Sequence, residues 1–333
     1  MRNNSNNFEQ VPARKSASLF VRLVALARNI AVVGTIVSSF ATIHWIADLV
    51  ANLRVQFAIL FFPSLVLASV RRERVLAAIV CGFFLYSIWP TIPYFLPPSR
   101  FGVSESSGAK RFRVLSFNVL RTNEKFESTL NEILAANADF VFLMEVQNDW
   151  ARYLEGVQDR YPYQRIVADP GYTGVAFLSK HPWSKLEVVV LGEINNPSID
   201  VSIQCHDSET GTLRIIATHP LPPFGEQLTN SRDKQLRMLA ERFKLDEPSL
   251  MIGDFNMSPW SPRFASIFNS TCLADASIGY GISPTLDPLP TWFGGIKVDH
   301  VFKNRFVQVH HFSVQASQHS DHKMIVADFS ISE

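Results

Sequence analysis

The stretch Ser249-Leu250-Met251-Ile252-Gly253-Asp254-Phe255-Asn256 decides how this chain reads. Leu250 to Ile252 make an apolar, strand-like run and Gly253 ends it. Asp254 and Asn256, two positions apart, face the same way on an extended backbone. A carboxylate and an amide presented together where a buried strand emerges are what a hydrolytic site at a sheet edge needs. An Asx-type turn that merely stops the strand carries the same letters, so the reading depends on what surrounds it.

Working outward, the pattern recurs. Ser116-Phe117-Asn118, Leu143-Met144-Glu145, Thr218-His219-Pro220, Val298-Asp299-His300 and Ser320-Asp321-His322 each accompany an apolar run. Amide, acidic and imidazole groups placed where strands emerge can converge on one point, as metal-assisted hydrolysis requires. Strands are expected at Arg113 to Phe117, Phe140 to Met144, Gly174 to Leu178, Leu186 to Leu191, Ile199 to Cys205, Leu213 to Ala217 and Leu250 to Ile252. Three more are expected at Val298 to Phe302, Val307 to Val314 and Met324 to Phe329. Helical spacing marks Phe126 to Ala136, Gln227 to Phe243 and a shorter run from Pro262 to Phe268. The expected class is α/β (α+β), with two sheets packed face to face and helices outside, forming one domain over residues 111–333.

The first third differs in kind. The 333 residues are 47% apolar with positive mean hydropathy, and the excess is concentrated between Ile30 and Leu96. Three membrane helices are expected, at about 30–50, 55–70 and 75–95, after an N-terminal segment of residues 1–29. Val55 to Val70 is short and contains Pro63, so a re-entrant or interfacial helix is its alternative. Asp48 falls near the end of the first run and reads as an interfacial residue rather than a functional one. The linker is placed at residues 97–110, with Pro97-Pro98-Ser99-Arg100 and the small, polar stretch Ser104 to Gly108.

Lys and Arg are retained on the cytoplasmic side. Arg14, Lys15, Arg22 and Arg28 precede the first span, and Arg71, Arg72 and Arg74 fill the second loop. Both clusters lie inside together only if everything after Phe95 lies outside. Arg54 alone argues the other way.

Residues 1–109 hold ten Lys or Arg against four Asp or Glu, a charge of +6; residues 110–333 hold twenty-one against twenty-six, a charge of −5. An acidic domain is a poor match for sequence-independent nucleic-acid binding, which neutralises backbone phosphates with basic side chains. The three cysteines form no metal-ligand spacing. Cys205 and Cys272 admit either a bridge or two separate thiols.

The ordered set of signatures from Arg113 to Phe329 resembles the endonuclease/exonuclease/phosphatase superfamily, the group of DNase I, abasic-site endonucleases, inositol polyphosphate 5-phosphatases and neutral sphingomyelinases. That resemblance implies a DNase I-like four-layer sandwich of two mixed sheets flanked by helices, and a cofactor of Mg2+ or Mn2+. It implies Glu145 as the principal metal carboxylate, with Asn118 beside it and Asp321 as a further ligand. Asp254 would orient or deprotonate the attacking water, and Asn256 and Asn118 would bind substrate. His219 would contact phosphate, and His322 would be the imidazole whose tautomer and charge Asp299 holds. His300, adjacent to Asp299, is expected to point away. Nucleases of the family commonly carry an acidic residue two positions after the strand-one Asn, where this chain has Leu120. Three spans before such a domain, with the Thr-His-Pro-Leu-Pro-Pro run, also look like the bacterial membrane-bound branch that includes glycopeptide-resistance-type proteins.

The expectation is therefore a membrane-anchored, metal-dependent phosphohydrolase in the bacterial cytoplasmic membrane, facing outward, with the lipid bilayer as its setting. Its substrate would be a phosphorylated lipid or other small phosphate ester. An extracytoplasmic nuclease, with nucleic acid as the less favoured partner, and a non-catalytic binding module are the alternatives.

Overall fold

The computed structural model describes residues 13–97, 110–192, 194–205, 212–243, 246–269, 271–288 and 293–331. The apolar first third forms α1 (Ala13–Ser38), α2 (Trp45–Ala51), α3 (Arg54–Val70) and α4 (Arg74–Ile88), followed by a 3-10 helix, Trp89–Phe95. Two helical segments, Leu19–Ser38 and Arg74–Phe95, are long and apolar enough to cross a membrane. Helices α2 and α3 qualify only together, as a pair bent by 59°. Against the three spans expected from the sequence, the helices allow two, or three if the bent pair forms one broken span rather than a re-entrant loop.

The first helix also starts and stops earlier than its apolar pattern suggests. The Ser38 and Ser39 hydroxyls both donate back to the Thr35 carbonyl, at 2.8 and 3.1 Å, competing with the backbone ladder where the helix ends. His44 then caps α2, its Nδ1 accepting from the Ile46 N–H at 3.2 Å. This break turns Asp48, Asn52, Arg54 and Gln56 away from the apolar face, and all four are buried against the following domain. Asp48, expected at an interface, is 0% exposed and ion-paired. The stretches 98–100 and 104–108 of the expected linker lie outside the described residues.

In chain order the strands are β1 (Arg111–Asn118), β2 (Phe140–Met144), β3 (Tyr163–Val167), β4 (Val175–Ser179), β5 (Trp183–Val190) and β6 (Pro197–Gln204). They continue as β7 (Thr212–Thr218), β8 (Ser249–Asp254), β9 (Ala274–Asp275), β10 (Asp299–Lys303), β11 (Val307–Gln315) and β12 (Met324–Ile331). One six-stranded sheet has the order β11-β12-β1-β2-β4-β3, the other β5-β6-β7-β8-β10-β9. Each is mixed, because β1 and β2 run parallel, as do β7 and β8, while the other neighbours are antiparallel.

Strand β2 is apolar at every position because both of its faces are covered. Phe140, Phe142 and Met144 point between the sheets, where they meet Ile199, Ile215 and Leu250. Val141 and Leu143 point outward beneath α5 (Phe126–Ala135) and α6 (Asn148–Glu155), against Ile133 and Trp150. The second sheet repeats this with Ile216 and Met251 under α7 (Glu226–Arg242) and α8 (Pro262–Phe268). The result is the expected four-layer sandwich. Cys205 and Cys272 are separate thiols, one buried and one exposed.

Gly253 shows why the central stretch reads as it does. Its φ is +139°, and a Cβ there would lie 1.8 Å from the Thr218 carbonyl oxygen of the neighbouring strand. Gly253→Ala is therefore expected to destabilise the fold by about 1–3 kcal/mol from backbone conformation alone, with further loss from the overlap. A thermal melt of the full chain in detergent checks this; an unchanged midpoint would mean that β7 and β8 can separate freely there.

Candidate active site

Strand direction gathers the polar signatures at one edge. Asn118 ends β1, Glu145 follows β2, His219 follows β7 and Asp254 ends β8. Strand β10 runs antiparallel to β8, and β12 antiparallel to β1, so the starts of β10 and β12 reach the same edge and bring Asp299 and His322. Asp299 is the direct cross-strand partner of Asp254.

Asp254 lies at the centre, 1% exposed. Its Oδ2 is 3.5 Å from His219 Nε2, 3.6 Å from His322 Nε2 and 3.5 Å from Asn118 Nδ2. Its Oδ1 accepts the Asn256 N–H at 2.7 Å. His322 Nδ1 faces Asp299 Oδ2 at 2.9 Å, so one imidazole bridges two buried carboxylates.

Burial pushes the His322 pKa down, but the Asp299 and Asp254 carboxylates outweigh it and hold the imidazole up at about 10. The same contest raises His219, where the hydrogen bond and charge of Asp254 overcome burial. For Asp254, burial works upward, and the two imidazoles with the Asn256 N–H hold its carboxyl below the usual carboxylate range.

Glu145 is built differently. It is 8% exposed and holds a left-handed φ of +62°, which a non-glycine residue adopts only under constraint. Its Oε1 accepts from Asn118 Nδ2 and its Oε2 from the Arg121 N–H, both at 2.9 Å. Among the described residues no Lys, Arg or His lies within ion-pairing distance of it. A buried carboxylate with only neutral donors has unspent charge, and an all-oxygen donor set of this kind suits a hard divalent cation. Asp254, Asp299 and His322 also bring ligand atoms within 4.8 Å of one another. In that cluster the His322 ring bridges the two carboxylates, Nδ1 to Asp299 and Nε2 to Asp254. Two groups of residues could therefore hold a cation, Glu145 with Asn118 and the Asp254–Asp299–His322 cluster.

Asp321 does not join this cluster. Ser320 accepts the His322 N–H at 3.0 Å and donates to the Asn118 carbonyl at 2.8 Å; this turns His322 inward and leaves Asp321 exposed. His300 faces the opposite side, its Nε2 2.9 Å from the Met257 carbonyl and its ring among Phe255, Phe264 and Phe302. Asn256 Nδ2 donates to the Pro220 carbonyl at 3.0 Å, tying the β8 exit to the loop after His219. Two atoms, His219 Nδ1 and Asp299 Oδ1, are buried with no protein partner among the described residues, leaving hydrogen-bonding capacity for water or a ligand.

Some contributors carry no sequence signal. The Arg121 N–H holds Glu145 as backbone, which any residue type supplies. The Arg121 side chain lies 4.3 Å from the ring of Tyr172, in the Gly171–Gly174 turn. Gly174 itself is required because a Cβ would lie 2.0 Å from the Val146 carbonyl.

A model of the endonuclease/exonuclease/phosphatase family matches residues 115–322. The chain belongs to that family. Members of the endonuclease/exonuclease/phosphatase family are metal-dependent hydrolases of phosphate esters, and this chain is an enzyme of that class. Solved structures share its fold at low identity. An endonuclease/exonuclease/phosphatase from Beutenbergia cavernae DSM 12333 is 20% identical, with a TM-score of 0.56, covering 67% of this chain and 72% of that one. The human Nocturnin catalytic domain with bound sulfate is 19% identical, with a TM-score of 0.56, covering 67% and 95%. Sphingomyelinase C from Streptomyces griseocarneus is 20% identical, with a TM-score of 0.50, covering 66% and 99%. No curated protein matches.

Because the folded-state pKa of His322 lies above the unfolded value of about 6.5, its charge stabilises the fold fully below that pH. The contribution is lost as pH rises through about 10. In a histidine NMR titration His322 should stay protonated across the neutral range, and Asp299→Asn should bring its transition down towards it. A wild-type transition near the unperturbed value would contradict the ion-pair account.

Proposed function

We propose that this chain is a membrane-anchored phosphohydrolase that uses Mg2+ or Mn2+, faces outward from the bacterial cytoplasmic membrane, and hydrolyses a phosphate ester carried by a lipid. The supporting observation is how the site edge meets the bundle. Ser258 and Trp260, just beyond Asn256, donate to the side-chain and backbone oxygens of Asn52 between α2 and α3, at 2.9 and 3.0 Å. Gln56 donates to the Gly295 carbonyl at 2.9 Å, and the Tyr94 hydroxyl bonds Asp275 Oδ2 at 3.1 Å. A site docked on apolar helices has its concentration fixed at the bilayer surface, where a lipid headgroup also lies.

The orientation follows from charge. Arg71, Arg72 and Arg74 lie at the end of α3 and α4 away from the docked domain, which favours that end as cytoplasmic. Arg54, the one opposing residue, is buried, bonded to the Trp260 carbonyl at 3.0 Å and stacked 4.4 Å from the Tyr86 ring. It therefore does not act as a free juxtamembrane charge. Phe224, 69% exposed beyond the Pro220–Pro223 run beside His219, offers an apolar contact for a lipid chain.

In the reaction the water oxygen forms a bond to phosphorus, the bond from phosphorus to the ester oxygen breaks with its electron pair leaving on that oxygen, and the proton lost by the water passes through Asp254 to the departing alcohol. Ionised Asp254 accepts a hydrogen bond from the attacking water and orients it. His219, whose pKa Asp254 raises, and charged His322 face the negative charge that builds on the phosphoryl oxygens, and Asp299 keeps His322 charged and directed. Asn256 and Asn118 contribute amide donors to the substrate. A divalent cation, held by Glu145 with Asn118, would neutralise phosphate charge and polarise a phosphoryl oxygen.

The test is magnesium-dependent release of phosphate or headgroup by the purified full chain in detergent, against lipid phosphates, phosphodiester lipids and DNA. Turnover of lipid substrates is expected, falling by roughly 10²-fold or more in Glu145→Ala and His322→Ala. Preferential cleavage of DNA would transfer the assignment to a nuclease. Magnesium should also raise the melting midpoint of the wild type and not of Glu145→Gln.

A further inference from the structure

The seam between bundle and domain contains a closed run of alternating charges. Arg232, on α7, is 1% exposed and all three of its nitrogens are engaged. Nη2 donates to Asp48 Oδ2 and to Asp233 Oδ1, both at 2.7 Å, and Nε donates to Asp233 Oδ1 at 3.0 Å. Nη1 donates to the Asn256 carbonyl at 2.9 Å. Asp48, on α2, uses its other oxygen to accept from Ser261 Oγ at 2.6 Å. Asp233 Oδ2 accepts from Arg263 Nη1 at 2.7 Å, and Arg263 Nε reaches back to the Ala41 carbonyl between α1 and α2. Two negative and two positive groups thus balance inside a buried seam, so removing one would leave its partner's charge uncompensated.

Arg232 touches the site at a strained point. Asn256 holds a left-handed φ of +51° and is fixed from three sides. Its N–H goes to Asp254, its side chain to the Pro220 carbonyl, and its own carbonyl to Arg232. A non-glycine residue persists in that conformation only when its surroundings over-determine it. One of the three restraints, the Arg232 guanidinium, is itself bonded to Asp48 of the apolar bundle. A second line of contacts reaches the site as well: Tyr94 bonds Asp275, Lys297 Nζ lies 3.5 Å from Asp275, and Lys297 donates to the Asp299 carbonyl at 3.3 Å.

We infer that Asp48 and Arg232 are positioning residues: the bundle, through Asp48, holds the Arg232 guanidinium on the Asn256 carbonyl and so fixes the Asp254–Asn256 turn of the active site. The anchor is on this account a working part of the enzyme, needed even for a soluble substrate. The inference rests on the phosphohydrolase reading of the site.

The experiment uses the full chain in detergent, with bis(p-nitrophenyl) phosphate and Mg2+ as the probe reaction. Asp48→Asn and Arg232→Lys are expected to lower kcat by roughly 10- to 100-fold with KM little changed. Asp48→Glu, which keeps the charge, should recover part of the loss. Gln56→Ala removes a different bond between bundle and domain and should keep wild-type kcat, which separates positioning from docking in general. In parallel, amide hydrogen exchange in the 254–261 peptide should quicken in Asp48→Asn while the β1 and β7 peptides stay as protected as in the wild type.

Wild-type kcat in folded Asp48→Asn would overturn the inference, as would losses in all variants that merely track their folded fraction. Unchanged protection of 254–261 would also overturn it, whether or not the probe is turned over. A wild type silent on every phosphate ester would count against the hydrolase reading instead, and the exchange result would then decide positioning by itself.

Discussion

Everything at the site edge turns on the carboxylate of Asp254. It arrives at the end of a buried strand, where solvent has been excluded, and so must be compensated by the protein. Donors come from His219 after β7, His322 before β12, Asn118 at the end of β1 and the backbone of Asn256. Those groups belong to both sheets. The charge therefore fastens the two halves of the sandwich at one edge, while the apolar layer between them fastens the rest. A group that holds the sheets together in this way has little freedom to move, which is the condition the proposed catalysis needs.

The same edge concentrates backbone strain. Leu120, Glu145 and Asn256 all have positive φ without being glycine. Leu120 and Asn256 each send their N–H to a side chain two residues earlier, Asn118 and Asp254, so that the turn and the polar group hold each other in place. In Glu145 the turn lifts the carboxylate off the β2 ladder towards Asn118. The strain is local and is repaid by hydrogen bonds that straight strands would not make.

Much of this was legible in the sequence because it follows from alternation. Continuous apolar runs such as Phe140–Met144 and Leu250–Ile252 announce strands covered on both faces, and the polar residue after each run announces its exit. β3 was not legible, since Tyr163–Val167 lies at a sheet edge and only half buries its side chains. Neither was α6, whose eight residues barely establish a period, nor the two-residue β9. The end of the first apolar helix is not legible in the sequence, because hydropathy weighs Ser38, Ser39 and His44 as mildly polar and is blind to their hydrogen bonds. Asp321 was grouped with its neighbour His322 by the motif, whereas adjacent residues of an extended chain face opposite ways. Asp48 and Arg232 stand 184 residues apart, and no periodicity connects them.

The bend between α2 and α3 bears on how the chain is made. It collects Asp48, Asn52, Arg54 and Gln56 at one end of the bundle, and their partners lie 184 to 239 residues further along. Until those partners have been made and folded, these four polar side chains lack the bonds that bury them, and a carboxylate and a guanidinium are costly to bury unpaired. The short α2 segment and the start of α3 therefore reach their final seat only once α7, β8 and the start of α8 have been synthesised and folded. Biogenesis then has a fixed order, in which the last-made part of the protein completes the seating of the first.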